Sequence, residues 1–240
     1  MGKKNKKDSV SVMIAAYNEE ENIADAVKSV YSGLKGLIND YEMIIINDGS
    51  TDDTGRIISG FAKKDRRIKI LTHRQNLGFG SSIKDGIKLA EKTYLTGFPG
   101  DNDMSAVSFR SLLKRRKSAD LIISYMANPQ VRPLHRRLAS LFFVKIMNKL
   151  FGLNLKYFNG YFIAKTNLVK KLPLRSCGLA VFAEIIVRLI KNGVNYQEVS
   201  FFHSVKKNHQ SKAVSIKSIF QTMETIVALI RDLYFIQGSR

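Results

Sequence analysis

A single cysteine, Cys177, in 240 residues excludes an internal disulfide and any metal site built on several thiolates, and it fits a reducing compartment. Acids are scarce too: 20 Asp and Glu stand against 39 Lys and Arg, a net charge of +19. Such an excess draws polyanions, whether nucleic acid, anionic membrane or phosphorylated substrates, without choosing among them. No apolar run approaches the roughly 20 residues that span a bilayer. The start, MGKKNKKDSV, lacks the apolar stretch of a signal peptide, and Lys6 stands where myristoylation requires Ser or Thr. Residues 1–8 are therefore read as a basic tail, solvated or weakly held by anionic lipid. There is no internal repeat, no flexible linker and no Walker A sequence. The segment GFGSSI has Ile83 where the last glycine of G-x-G-x-x-G belongs.

Hydrophobic residues make up 45% of the chain, enough for a sizeable core. VSVMIAAY, from Val10, reads as a buried strand, and Ile23, Ala26, Val27, Val30 and Leu34 then recur at helical spacing. YEMIIIND and RIKILTH are further strands, separated by a helix over TDDTGRIISGFAKK that Ser50 or Thr51 can cap. A third helix covers GSSIKDGIKLAEK, followed by a fourth strand running into acids (YLTGFPGDND) and a fifth, DLIISY. This alternation predicts an α/β fold, a mainly parallel sheet flanked by helices, whose ligands bind beyond the carboxyl ends of the strands. Beyond Ser124 we expect an irregular basic loop (MANPQVRPLHRR), an apolar helix from Leu138, and a strand pair or an edge strand with a turn at Asn159-Gly160. A helix ending at Gly193, a strand from Tyr196, and an amphipathic helix over Ser215 to Phe235 complete the chain.

Polar residues collect at the predicted strand ends: Tyr17-Asn18-Glu19, Asp48-Gly49-Ser50 and Asp101-Asn102-Asp103. Two carboxylates two residues apart can share one hard cation, Mg²⁺ or Mn²⁺, with substrate phosphates. Asp48 can accept from the N–H groups of a nucleobase or hold an Asx-turn over Gly49. Gly78 and Gly80 allow a phosphate close to a helix N-terminus, or form an ordinary strand–helix turn. Arg132, Arg136 and Arg137 suit phosphate oxygens, or form an ordinary solvated basic loop.

In order and at the expected spacing, AAYNEEENI, IIINDGSTDDT, HRQNLGFGSSIKDGI and PGDND resemble the family 2 glycosyltransferases, which have the GT-A fold. The resemblance covers roughly Ser9 to Tyr125 and implies a nucleoside-diphosphate sugar donor with a Mg²⁺ or Mn²⁺ cofactor. By match to the motifs, Ala16 (where Pro is usual), Tyr17 and Glu19 line the nucleotide, with Asp48 on the base. Ser50, Asn76, Gly78, Lys84 and Asn102 belong to the same donor site. Asp101 contacts ribose or diphosphate, Asp103 is the catalytic metal carrier, and the pair are the metal ligands.

The second half more loosely resembles the polyprenyl-phosphate sugar transferases. VRPLHRRLAS matches an Arg-bearing segment, so Arg132, Arg136 and Arg137, with Lys206 and Lys212 of KKNHQSKA, are expected on the acceptor phosphate and donor diphosphate. Ser105 replaces a Gln of that branch, and YFNGYFIAKT lacks its Arg. The expected layout is a transferase domain over 9–212, with a nucleotide-sugar half (9–125) and an acceptor half (126–212), and an amphipathic helix over 213–240. The expected activity is inverting transfer to a lipid phosphate, by a protein peripheral at the cytoplasmic membrane face and able to self-associate. A soluble or polysaccharide hydroxyl acceptor is the alternative; it needs a general base, for which Glu184 is the candidate if it faces the acceptor and is not simply a salt-bridged helix residue. A nucleic-acid-binding module is disfavoured, because aromatic and basic residues do not interleave and the strand-end acids repel phosphate.

Overall fold

A computed structural model describes residues 8–202 and 216–236. Seven strands form one sheet: β1 (Ser9–Ala16), β2 (Asp40–Asn47), β3 (Ile68–Thr72), β4 (Tyr94–Gly97), β5 (Leu121–Met126), β6 (Phe162–Lys165) and β7 (Tyr196–Phe201). Their order across the sheet is β3-β2-β1-β4-β6-β5-β7. β6 alone is antiparallel, to both β4 and β5. The carboxyl ends of β1, β2, β4 and β5 therefore share one edge with the start of β6.

Alternation along the strands divides the core between the two sheet faces. Val10, Val12 and Ile14 of β1 pack with Met43 and Ile45 against α1 (Ile23–Leu34), α2 (Thr54–Lys64) and α4 (Ala106–Lys114). Met13, Ile44 and Ile46 face the other way, toward α3 (Phe79–Leu89), α5 (Leu134–Phe151), α7 (Val181–Lys191) and α8 (Ile216–Ile230). A short helix, α6 (Thr166–Val169), follows β6, and a π-helical turn, Arg231–Ile236, extends α8.

Three expectations need correction. Helix α4 was not anticipated; it starts where the Ser105 hydroxyl accepts the Ser108 N–H, an N-cap easily overlooked beside the acids. Helix α5 begins at Leu134, so Arg136 and Arg137 lie on a helix and not in a loop. The segment around Asn159-Gly160 forms neither a strand pair nor an edge strand: a single strand, Phe162–Lys165, joins the sheet, and it lies inside it between β4 and β5.

The apolar faces of α5 and α8 are only partly used. On α5, Met147 and Phe151 are buried while Leu134, Leu138, Leu141 and Phe142 are exposed. On α8, Leu229 is buried, Ile226 and Ile230 pack on the core, and Ile219, Phe220, Met223 and Val227 are exposed. Among the described residues no helix is long and apolar enough to cross a membrane.

Candidate active site

The loops after β1 and β2 are stitched to each other. Asn18, in the left-handed region at φ 53, donates its N–H to the Ser50 hydroxyl (3.0 Å), and its Oδ1 accepts from the Thr51 N–H (2.9 Å). The Glu19 N–H reaches Thr54 Oγ1 (2.8 Å), and Glu20 and Asp52–Asp53 exchange two further bonds of 3.1 and 2.9 Å. Many of the strand-end acids are thus backbone acceptors that shape the rim. Neither Ser50 nor Thr51 caps α2; Asp53 holds that position, and Asp52 accepts the Thr54 N–H. Tyr17 is exposed beside this lock, while Ala16 is buried and its carbonyl accepts the Asp48 N–H.

Asp48 does not present a free carboxylate to a base. Its side chain is buried, with Oδ1 2.7 Å from His73 Nδ1 and 2.9 Å from the Leu77 N–H, and Oδ2 2.9 Å from the Gly78 N–H. It anchors the loop before α3, and the Asx-type turn over Gly49 is made by Asn47, whose Oδ1 accepts the Ser50 N–H. Gly78, at φ 91, caps α3 in a strand–helix turn, the second of the two expected reasons for this glycine pair. A Cβ on Gly80 would lie 2.5–2.8 Å from the backbone of Ser176, Cys177 and Gly178, and the Gly80 N–H donates to the Cys177 carbonyl. Protein backbone, not phosphate, makes the close approach. Lys84 reaches the same segment, 3.4 Å from the Arg175 carbonyl and the Cys177 sulfur, and Asn76 is exposed.

The acidic pair occupies the crevice beyond β4. Gly100 lets the turn lie against β1, since a Cβ there would be 2.5 Å from the Ala15 carbonyl oxygen. Asn102 takes φ 55, and the Asp103 N–H donates to Asp101 Oδ1 (3.2 Å). The crevice, about 180 Å³, is lined by Asp101, Asp103, Arg132, Tyr157, Asn159 and Tyr161 among others. Arg132 Nη1 donates to the Tyr157 hydroxyl at 3.2 Å, so a cation lines the same crevice as the two carboxylates. Loss of solvent, and then the charges of Asp101 and Asp103, push the Tyr161 phenol well above its usual pKa, so it stays protonated.

The donor set fits a divalent cation shared with a ligand. Among the described residues no group of three or more His, Cys, Asp or Glu comes together to hold a metal. Two carboxylates suffice for Mg²⁺ or Mn²⁺ when substrate phosphates complete the shell.

Glu184 does not reach the crevice. Its carboxylate is fully buried and accepts the N–H groups of Arg175 (3.0 Å) and Ser176 (2.8 Å) and the Arg188 guanidinium (2.9 and 3.0 Å). Arg188 also pairs with Asp232 at 2.8 Å, tying α7 to the turn after α8. A base must touch the proton it takes, so the expected role for Glu184 is withdrawn. Arg136 and Arg137 stand on the first turns of α5, and Lys206 and Lys212 lie outside the described residues. Sequence reasoning missed Tyr157, Asn159 and Tyr161; their one signal was the Asn-Gly pair, taken only as a turn.

A mainly parallel sheet covered on both faces, with an acidic pair at the end of a central strand, defines a fold of the GT-A type. The chain belongs to glycosyl transferase family 2, whose model matches residues 11–174. It is 34% identical over 114 residues to an uncharacterized glycosyltransferase, EpsJ, of Bacillus subtilis, covering 48% of this chain and 32% of EpsJ. It is 31% identical over 125 residues to the poly-beta-1,6-N-acetyl-D-glucosamine synthase of Staphylococcus epidermidis, covering 52% of this chain and 29% of the synthase. The chain thus spans about a third of the length of these curated relatives. The glucosyl-3-phosphoglycerate synthase of Mycobacterium tuberculosis in complex with UDP superposes with TM-score 0.72 at 18% identity, covering 92% of this chain and 80% of that one. A complex of the same synthase with Mn²⁺, UDP-glucose and phosphoglyceric acid superposes at 0.70, with 16% identity and coverages of 92% and 79%.

Proposed function

We propose that this chain transfers a sugar, with inversion, from a nucleoside-diphosphate sugar to a polyprenyl-type lipid phosphate at the cytoplasmic face of a membrane. The observation that carries the reading is the crevice itself: Asp101, Asp103 and Arg132 line it together, and Arg132 stands two residues ahead of a helix whose Leu134, Leu138, Leu141 and Phe142 are exposed. Asp101 and Asp103 would hold Mg²⁺ or Mn²⁺. A cation held there would supply charge neutralisation for the departing diphosphate. Tyr17 and Glu19, at the end of β1, border the nucleotide. Arg132 binds an anionic oxygen bidentately, held in position by Tyr157. A phosphate acceptor is ionised near neutral pH and needs no base, which agrees with the buried, ion-paired state of Glu184. The apolar side of α5, flanked by Lys145 and Lys149, suits the interfacial region of an anionic bilayer.

A second reading keeps the donor and replaces the acceptor by a soluble or polysaccharide hydroxyl. It is favoured by the relatives, one a polysaccharide synthase and one crystallised with phosphoglyceric acid. The assay offers UDP-glucose, UDP-N-acetylglucosamine and GDP-mannose with Mn²⁺ to dolichyl phosphate in vesicles or to phosphoglyceric acid in solution. Sugar appearing on the lipid, and lost when Arg132 is replaced by Met, supports the lipid acceptor. Transfer only to the soluble acid supports the second reading, and transfer to neither, from a folded protein, refutes both.

A further inference from the structure

Asn159 lines the crevice, yet among the described residues its buried Oδ1 accepts no hydrogen bond. A buried acceptor without a donor costs free energy, and ordered water, an ion or a ligand ordinarily supplies the partner; of these a ligand reaches Asn159 through the crevice it lines. Its position is fixed from the next residue, since any Cβ on Gly160 would overlap the Ser124 carbonyl oxygen. Sheet order says which part of a ligand meets it. β4 lies between β1 and β6, with the acidic pair just beyond its end and Asn159 just before β6. A nucleotide beside β1 with its diphosphate at Asp101 and Asp103 projects its next group over β6. That group is the sugar.

We propose that Asn159 is a specificity-determining residue that hydrogen-bonds a hydroxyl of the transferred sugar. The inference rests on the donor reading above. A carboxamide and a hydroxyl each carry a donor and an acceptor, so one sugar hydroxyl satisfies the orphaned atom. The diphosphate, which only accepts, cannot.

Calorimetric titration of the full chain with Mn²⁺ tests it, using UDP, GDP, UDP-glucose, UDP-N-acetylglucosamine and GDP-mannose as probes. Asn159→Ala should hold the affinity for the free nucleoside diphosphate within about twofold and weaken the preferred nucleotide sugar roughly tenfold. With wild-type protein, one sugar analogue lacking a single hydroxyl should reproduce that loss, and Asn159→Ala should then add nothing further. The variant without ligand should melt no lower than wild type. Equal losses for the diphosphate and the nucleotide sugar, an unchanged sugar affinity, additive losses, or a lower melting temperature would each overturn the inference. Asp103→Ala separates the two ideas. If it leaves every affinity intact, or wild type binds no probe, the donor reading fails; if it removes binding while Asn159→Ala is silent, only the role of Asn159 fails.

Discussion

Replacing Glu184 with Gln tests whether the carboxylate is structural. The side chain keeps its shape but loses its charge, and its new NH₂ group must face donors, either the N–H groups of Arg175 and Ser176 or the Arg188 guanidinium. Removing one partner of a buried ion pair typically costs about 3–5 kcal/mol. Here Arg188 keeps Asp232 at 2.8 Å, so its charge is not stranded. The expected loss is thus nearer 2–3 kcal/mol, a large share of the roughly 5–15 kcal/mol that holds a domain together. For a chain of this size that is a fall of about 5–10 °C in Tm. The assay is thermal unfolding, paired with sugar transfer measured well below both transitions. Adding Asp232→Asn should lower stability by more than the sum of the single changes, because each carboxylate alone still neutralises Arg188. An unchanged Tm together with abolished transfer would refute the reasoning and restore Glu184 as a base.

Three further outcomes follow from this network, from Gly160 and from the exposed face of α5. Burial alone would raise the Asp232 carboxyl, but Arg188 and Arg175 outweigh it and hold its pKa at about 2. This depressed carboxyl contributes about 2 kcal/mol above the unfolded value near 4, lost as pH falls from about 4 toward 2. Urea midpoints measured from pH 5 to pH 2 should fall more steeply for wild type than for Asp232→Asn, and equal slopes contradict the assignment. Gly160→Ala drives a methyl group into the Ser124 carbonyl and should cost about 3 kcal/mol or more, read as lost soluble yield or a collapsed Tm. Replacing Leu141 and Phe142 with Ser should leave Tm nearly unchanged, since both are exposed, and should reduce cosedimentation with anionic vesicles; retained cosedimentation would remove α5 from the membrane contact.

What the sequence discloses follows from where physical signals are local. The apolar runs of β1 and β2 and the periodicity of α1 and α3 are strong within a few residues, so the parallel half of the sheet was legible. The boundary of α5 was not, because Arg136 and Arg137 look like loop residues until Pro133 is seen to start a helix. The acidic pair after β4 was visible as a motif, but its neighbours were not. Tyr157, Asn159 and Tyr161 reach it only because β6 inserts antiparallel between β4 and β5, a pairing that no local pattern encodes. Glu184 and Asp48 each leave a ligand-facing and a structural reading open in the sequence. Buried backbone amides claim both carboxylates, and a sequence does not say which donors will surround an acid.

The most direct test is Mn²⁺ binding followed by electron paramagnetic resonance, with and without UDP or GDP. The account predicts tight Mn²⁺ binding only when a nucleoside diphosphate is present, and its loss in Asp103→Ala. Nucleotide binding that ignores both the metal and the removal of Asp101 and Asp103 would contradict it.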